Sequence, residues 1–352
     1  MNFWQQLPQP FFILAPMEAV TDVVFRHVIA HATPPDVWFS EFTNATGWVH
    51  GGQKAIGGRL LKTDDEQPIV AQIWGGEPGD MVQLAAHCAQ LGFHGIDINM
   101  GCPAKSAIKS GGSALIRQPE LAAASIATAK TAGLPVSVKT RLGYTYVDEW
   151  REWLAHLLRQ DIVNLTIHLR TKKEMSKVPA HHELIPEIVA LRDEIAPHTL
   201  LAINGDIHDR THGLALVEQF PGVNGVMIGR GVFHDPFAFA AAQPLGRADS
   251  KTSAARVSRG AEALAETRSE AVLEDATSEK AVAKKQALID LLHLHLDLFD
   301  TYQPRLGRPF ETLKRFFKIY IREFDGASEL RHELMQTKST GEVRAVLLAH
   351  GL

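Results

Sequence analysis

The sequence predicts an α/β protein in which eight parallel strands close into a barrel, followed by a small all-α domain. Short apolar, β-branched runs recur eight times, with room for a helix between successive runs. Polar and charged residues follow the carboxyl ends of these runs, where such barrels carry their working groups. Amphipathic helical periodicity then returns after residue 286. Together these observations indicate a (β/α)8 TIM barrel with a helical tail.

The predicted strands are, in order, 11–17, 37–42, 69–75, 95–101, 136–143, 164–170, 200–206 and 225–231. Helical patterns such as 80–92 and 119–133 lie between them, and each ends near a glycine suited to a helix C-cap. Eight strand–helix alternations favour the closed barrel. A doubly wound open sheet is the competing architecture.

Composition divides the chain into three parts. Residues 1–245 hold the predicted barrel, which we expect to be the catalytic domain. Residues 246–285 contain ten alanines and no aromatic residue, which is typical of a low-complexity linker or insertion. Residues 286–352 form the helical domain, with predicted helices at 286–302, 308–324, 327–337 and 341–351.

Gross composition limits the classes of protein to which the chain can belong. A hydrophobic content of 45% and a charged content of 22% are ordinary for a soluble globular protein. We find no signal-peptide pattern and no apolar stretch of the roughly 20 residues that a membrane span needs. Two cysteines cannot form a disulfide framework. We therefore expect a cytoplasmic protein, acting as a monomer, with no membrane partner.

The stretch IDINMGCPAKS, at 96–106, places a cysteine where a strand ends. Gly101 permits an unusual backbone angle and Pro103 ends strand pairing, so Cys102 is expected on the barrel rim. Cys88, by contrast, falls on the apolar face of a predicted helix and is interpreted as a packing residue. Cys102 is the candidate reactive group.

The seventh and eighth predicted strands end in glycine-containing loop segments, at 204–206 and 229–231. In barrels of this class these loops commonly hold a phosphate, and Arg230 offers a fixed fork for its oxygens. Lys139 and His168 end neighbouring strands and point into the same mouth. A lysine there can stabilise negative charge on a ring as the ring is reduced.

A phosphate-tailed aromatic cofactor fits this mouth better than a dinucleotide. No G-x-G-x-x-G motif follows a predicted strand, since GGEPGD at 75–80 has the wrong spacing. Gln72, at the end of the third predicted strand, could hydrogen-bond a ring edge. Flavin mononucleotide (FMN) is therefore the expected cofactor.

Five ordered motifs now carry a family resemblance. APMEAVTDVVFR, NMGCPAKS, SVKTRLG, INGDI and VMIGRG, together with LKRFFKIYIREFDGASELRHEL in the tail, resemble the tRNA-dihydrouridine synthases. The resemblance implies an enzyme that uses FMN, reduced by NADPH or NADH, to add hydrogen across the C5=C6 bond of a uridine in the tRNA D-loop. It also implies that the target base is flipped out of its stack.

The resemblance assigns roles to residues of this chain. Cys102 would be the general acid that protonates C5, and its thiol must then stay protonated until it acts. The implied flavin contacts are Ala15, Pro16, Met17, Gln72, Lys139, His168, Asn204, Asp206, Gly229 and Arg230. Asn99 would hydrogen-bond the uracil edge, and Arg141 and Arg170 are expected to contact the substrate.

One loop departs from the family pattern. Many members have His-Gly-Arg-Thr followed by Gln-x-Tyr-x-Gly, whereas this chain has His-Leu-Arg-Thr at 168–171 and then KKEMSKVPAHHEL. This departure leaves the choice of target uridine open.

A cationic stripe marks the predicted helix 308–324. Lys314, Lys318 and Arg322 recur every four residues, with Arg315 beside them, so one helix face would be basic. In a chain of net charge −4, such a local patch suits contact with the tRNA backbone. On pattern alone such a stripe is more often a solvated helix face, and it is the family resemblance that favours contact with tRNA.

No metal site is expected, since the histidine pairs at 181–182 and at 293 and 295 lack partners at ligand spacing. Two other classes of function remain open. One is a flavin-dependent barrel that reduces a small molecule, in the manner of dihydroorotate dehydrogenases or enoate reductases, and that would not need the cationic tail. The other is a tRNA-binding protein without catalytic activity.

Overall fold

Nine parallel strands lie at the centre of the computed structural model, which describes residues 2–105, 107–109, 111–241 and 262–352. They are β1 (Phe11–Leu14), β2 (Trp38–Phe39), β3 (Thr43–Asn44), β4 (Ile69–Trp74), β5 (Gly95–Asn99), β6 (Val136–Arg141), β7 (Asn164–His168), β8 (Leu200–Asn204) and β9 (Gly225–Ile228). Each begins in one of the eight predicted segments except β3, which lies just after the predicted segment 37–42 that contains β2.

The strands close into a barrel. Their order is β1-β9-β8-β7-β6-β5-β4-β2, and β3 also pairs with β4. A single bridge between Ile13 and Val37 joins the first and last strands and completes the ring. The predicted TIM barrel is therefore confirmed, and the open-sheet alternative is wrong.

The second predicted strand, 37–42, is interrupted. Glu41 lies between β2 and β3, outside both strands. Its carboxylate accepts a hydrogen bond from Ala19 N at 2.5 Å and pairs with Arg308. These contacts replace regular strand pairing with side-chain bonds to the neighbouring loop and to the tail.

Seven helices cover the outside of the barrel, and a one-turn helix α8 (Gly231–His234) follows β9. They are α1 (Val23–Ala32), α2 (Ala45–Ile56), α3 (Pro78–Gln90), α4 (Pro119–Lys130), α5 (Trp150–Leu158), α6 (Ile185–Ile195) and α7 (Arg210–Gln219). The side chains of Asp22, Asn44 and Asp209 cap the first turns of α1, α2 and α7 by accepting backbone N–H groups. The predicted glycines follow α3 and α4, with φ of 73° at Gly92 and 74° at Gly133.

The barrel has an inner and an outer core. The inner one is filled by side chains such as Phe11, Val37, Phe39 and Met227, and Trp4 packs against Phe11 and Phe39 beneath them. The outer core lies between the strands and the helices and continues into the tail. The amino-terminal end of the barrel is thereby filled, and working groups are left to the carboxyl-terminal mouth.

The tail contains α9 (Glu262–Leu306), α10 (Phe317–Tyr320), α11 (Ala327–Gln336) and α12 (Thr340–Ala349). Helix α9 begins inside the segment predicted as a linker, whose residues 246–261 lie outside the described ranges. The predicted division into domains stays a prediction. Phe25 of α1 stacks against Phe233, and also packs on His295 and Phe316, so tail and barrel share one hydrophobic core.

The prediction of a single α-helix over 308–324 is wrong. A 3-10 helix spans Phe310–Phe316, and only the turn Phe317–Tyr320 is α-helical before Glu323 takes a φ of 61°. A 3-10 helix has three residues per turn, which puts Leu313 and Phe316 on one face, and both are buried. Burial of these side chains thus overrides the four-residue spacing of the cations.

None of the helices within the described ranges is both long and apolar enough to span a bilayer.

Candidate active site

A cavity of about 430 Å³ opens at the carboxyl ends of the strands. Nine of the ten predicted cofactor residues line it, namely Ala15, Pro16, Met17, Lys139, His168, Asn204, Asp206, Gly229 and Arg230. Arg141 lines it as well. Gly205 and Gly231, which belong to the predicted phosphate loops, also line it. The remaining wall, which sequence reasoning missed, consists of Ser176, Ile207, His208 and His234. Ile207, His208 and His234 lie within three residues after predicted strand ends, so their position in the chain was an available signal.

Gln72 is the predicted cofactor residue that does not line this cavity. Its side chain is fully buried, with Nε2 donating to Asp97 Oδ2 at 2.7 Å and Oε1 accepting from Asn99 Nδ2 at 3.1 Å. Asn99 is also occupied internally, since its Oδ1 accepts from the N–H groups of Gly101 and Cys102 at 3.0 and 2.9 Å. Their contacts with a flavin and a uracil stay predictions.

Cys102 lines a second cavity, of about 390 Å³, together with Glu18, Phe42, Trp74 and other side chains from the first three β/α loops. The thiol is partly buried, and burial raises its pKa against the lowering influence of the Ala104 N–H and of Lys139. The thiol is therefore protonated at neutral pH, as a proton donor requires.

The two glycines that follow Cys102 close its loop. Gly111 has a φ of 148°, and a Cβ there would lie 2.9 Å from the carbonyl oxygen of Gly75. Gly112 has a φ of 55°, and its Cβ would lie 3.0 Å from the carbonyl oxygen of Cys102. Ser113 N then donates to that same carbonyl at 3.1 Å. The sequence needs glycine at both positions because the returning chain passes directly against the backbone of Gly75 and then against that of Cys102.

The first cavity holds an unusual concentration of buried cations. Burial, followed by the charge of Arg141, lowers the pKa of Lys139 to about 8. Burial and the charges of Arg141, Lys139 and Arg170 hold the pKa of His168 well below its usual value, so its ring is neutral. His168 Nδ1 is buried without a hydrogen-bond partner in the protein. The cavity is thus prepared for an anionic or electron-accepting group.

Arg141 links the two cavities. Its Nε donates to Gly101 O at 2.8 Å, beside Cys102, and its Nη1 donates to Thr171 O at 3.1 Å and Met175 O at 3.0 Å. This guanidinium therefore fixes the Cys102 loop relative to the loop that departs from the family pattern.

Arg170 is almost completely buried and supports that same loop from below. It forms an ion pair with Asp206 and donates to Val178 O at 2.6 Å, while Asp206 also accepts from Ala180 N at 3.0 Å. The structure thus gives Arg170 a loop-supporting position, and its predicted contact with substrate stays a prediction. Ser176 of this loop lines the first cavity.

The cations of the tail lie beside the mouth but do not form one helical stripe. Lys314, Arg315 and Lys318 line a surface cavity of about 460 Å³, to which Arg331 and His332 of α11 also contribute. The sequence missed these last two because α11 is a separate helix.

A further cavity, of about 400 Å³, connects tail and barrel. It is lined by Arg230, Phe233, His234, Lys318 and Arg322. Arg230 and His234 also line the first cavity, so a continuous cationic surface runs from the barrel mouth to the tail.

Within the described ranges, no three His, Cys, Asp or Glu side chains group as they would around a metal ion.

The donor set of the first cavity fits FMN. The half-buried Lys139 and the unpartnered Nδ1 of His168 would contact a ring, and Arg230 with Gly229 and Gly231 would bind a phosphate group. The volume is within the range of cofactor sites.

The sequence matches one protein family. The family model "Dihydrouridine synthase (Dus)" matches residues 13–289. A probable tRNA-dihydrouridine synthase 2 of Bacillus subtilis is 55% identical over 98% of this chain and 95% of its own length. A probable tRNA-dihydrouridine synthase of Staphylococcus aureus is 52% identical over 98% of this chain and 94% of its own length. A solved structure described as a variant of NCR from Zymomonas mobilis has a TM-score of 0.45 and 16% identity, covering 65% of this chain and 84% of that one. The family model and the relatives show that this chain belongs to the dihydrouridine synthase family.

Proposed function

We propose that the protein reduces the C5=C6 bond of a uridine in the D-loop of tRNA, with FMN as cofactor and NADPH or NADH as reductant. The observation that carries this proposal is the pairing of two cavities: a cationic one that fits a flavin, and beside it one that presents the protonated thiol of Cys102. The protein would act as a monomer in the cytoplasm.

Different residues of the chain would serve different steps of this reaction. FMN, which Lys139, His168 and Arg230 would hold in the first cavity, would supply hydride chemistry at C6 of the uracil ring. Cys102 donates its proton to C5, so that two hydrogens are added across the double bond, and the resulting thiolate is reprotonated from solvent. Lys139 holds positive charge near the flavin ring, and the neutral imidazole of His168 can donate or accept a hydrogen bond there.

The second cavity is suited to receive a flipped base. Phe42 and Trp74 provide half-buried aromatic walls, and Asn44 adds a polar edge. Stacking on such walls offsets the few kcal/mol that unstacking the base costs. We propose that the uracil enters beside Cys102 with its C5 facing the thiol.

We propose that the tRNA backbone lies on the cationic surface between tail and mouth. Lys314, Lys318 and Arg322 contribute to this surface, and Arg315 joins it to the barrel by donating to Ala19 O at 3.2 Å. Phosphate contacts of this kind position an RNA without reading its sequence.

The test is an anaerobic reaction of the purified protein with NADPH and tRNA that lacks dihydrouridine. Mass spectrometry of the tRNA should show a gain of two hydrogens on uridine. Cys102→Ala should reduce kcat by roughly 10²- to 10⁴-fold, as expected for loss of a general acid. Cys88→Ala, at a buried cysteine remote from the cavities, is the matched control and should retain activity.

Two results would contradict the proposal. A bound flavin with no reduction of any uridine would favour a small-molecule reductase. Binding of tRNA with no flavin bound would favour a tRNA-binding protein without catalytic activity.

A further inference from the structure

A chain of hydrogen bonds inside the barrel leads from β6 to the Cys102 loop. Ser137 Oγ donates to Asp97 Oδ1 at 2.6 Å, and Gln72 Nε2 donates to Asp97 Oδ2 at 2.7 Å. Asn99 Nδ2 then donates to Gln72 Oε1 at 3.1 Å, and Asn99 Oδ1 accepts from the Cys102 backbone at 2.9 Å. We call Asp97, Gln72 and Asn99 the relay.

Strand register builds the relay. Gln72 of β4 and Ser137 of β6 are both register partners of Asp97 of β5. Asp97 and Asn99 are two residues apart on β5, so their side chains point to the same side of the strand. The three polar side chains are therefore neighbours because the barrel pairs its strands in this register.

An ionised carboxylate accepts hydrogen bonds and cannot donate them. Asp97 therefore requires the NH2 group of Gln72 to face it, and this turns Gln72 Oε1 towards Asn99. Asn99 must then present its own NH2 group to Gln72, so its Oδ1 faces the backbone N–H groups that begin the Cys102 loop. One carboxylate thus fixes the orientation of two amides in succession.

Burial makes this orientation obligatory. The side chains of Gln72, Asp97 and Ser137 are fully buried, so solvent cannot replace a lost partner. Burial raises the pKa of Asp97 to about 6, while Ser137, Gln72 and then Lys139 oppose the increase. The carboxylate is accordingly ionised at neutral pH.

We propose that Asp97 is a positioning residue for Cys102, which it reaches through the amides of Gln72 and Asn99. The proposal deepens the function proposed above and depends on the role of Cys102 there. Asp97 touches neither cavity, and its effect is to hold the loop so that the thiol faces the substrate space.

The test uses variants in which the carboxylate stands at a different position of the relay. The double variant Asp97→Asn/Gln72→Glu leaves one carboxylate, now at position 72, which accepts from the new amide at 97 and from Asn99. The double variant Asp97→Asn/Asn99→Asp moves it to position 99, where it still accepts from the Cys102 backbone. The single variants Gln72→Glu and Asn99→Asp instead add a second carboxylate, which leaves two acceptors facing each other.

Two measurements are made on each holoenzyme. One is the rate at which iodoacetamide alkylates Cys102, followed by mass spectrometry without tRNA, with the buried Cys88 as internal reference. The other is kcat and KM for uridine reduction. Each single variant should alkylate faster and lose roughly tenfold in kcat, with KM changed less. Each double variant should return to within about threefold of the wild-type alkylation rate.

Alkylation rates that are equal in wild type and single variants would overturn the proposal, as would double variants that are no better than the singles. If a single variant fails to fold, the double variant decides: a folded protein with the wild-type alkylation rate supports the relay, and a folded protein whose Cys102 alkylates faster overturns it. If the alkylation pattern is as expected but the wild type reduces no uridine, the relay stands and the proposed function falls.

Discussion

At the residue scale, the protonation state of Cys102 decides which chemistry the site can perform. A thiolate at this position would be a nucleophile, whereas a thiol can give a proton to carbon. Burial raises the pKa of Cys102 even though Lys139 and Arg141 lie near enough to lower it. The local cations therefore serve the neighbouring cavity without ionising the thiol.

The raised pKa gives a first prediction. Because the folded protein favours the protonated form, alkylation of Cys102 by iodoacetamide should reach half its maximal rate above pH 9.0, the ordinary value for a thiol. In urea the midpoint should fall back to that value. Uridine reduction should be maintained as the pH rises through neutrality. A midpoint below pH 9.0 in the folded protein would show that burial does not raise the pKa of Cys102.

His168 gives a second prediction at this scale. Burial and the surrounding cations lower its pKa, so the ring should remain neutral between about pH 5.5 and 8. Nuclear magnetic resonance of the imidazole should show no titration there in the folded protein. Titration of His168 near neutrality would show that the cavity cations do not act on it as described.

At the scale of secondary-structure elements, Arg308 connects the tail to the first two β/α units. It pairs with Asp22, the cap of α1, at 3.0 Å and with Glu41, the fully buried residue between β2 and β3. Glu41 in turn holds Ala19 N, in the loop that carries Met17 into the cofactor cavity. One side chain of the tail therefore supports the wall of the active site.

We predict that Arg308→Gln lowers the free energy of unfolding by about 3–5 kcal/mol, because it leaves buried carboxylates without their cation. Arg344→Gln is the matched control. Arg344 also bridges two carboxylates, those of Asp297 and Asp300, but this pair is on the surface and its loss should cost less than about 1 kcal/mol. Thermal and urea unfolding of the two variants and the wild type measure these changes in the free energy of unfolding. Equal effects would show that the Arg308 pair is not buried as described.

The elements also show what sequence reasoning could reach. Strand ends were predictable, because polar residues after apolar runs mark the mouth of a barrel, and nine of the ten predicted cofactor residues line the cavity. The relay could not be predicted, because it depends on how β4, β5 and β6 pair in register, and a single sequence does not reveal that register. The 3-10 helix was missed because its cations recur at helical spacing while its buried residues recur every three.

At the scale of the whole molecule, charge is distributed unevenly. The net charge is −4, yet cations of the tail and Arg230 of the barrel form one surface beside the mouth. Such a local surface attracts a polyanion without making the whole protein basic.

We predict that Lys318→Ala weakens tRNA binding and lowers the slope of log K against log salt concentration by about 1. Lys130→Ala is the control, since Lys130 lies in the last turn of α4, at the opposite end of the barrel. Fluorescence anisotropy of labelled tRNA at several salt concentrations measures both. An unchanged slope for Lys318→Ala would remove this residue from the RNA interface.

The barrel is joined between β1 and β2 by one bridge, from Ile13 to Val37, and this seam is its weakest closure. Helix α1, which follows β1, is covered by α9 and by the aromatic side chains Phe316 and Tyr302. We therefore expect the tail to hold this seam closed. A fragment that ends before residue 286 should open at the seam and be degraded by proteases, because the aromatic contacts between the tail and α1 are then lost.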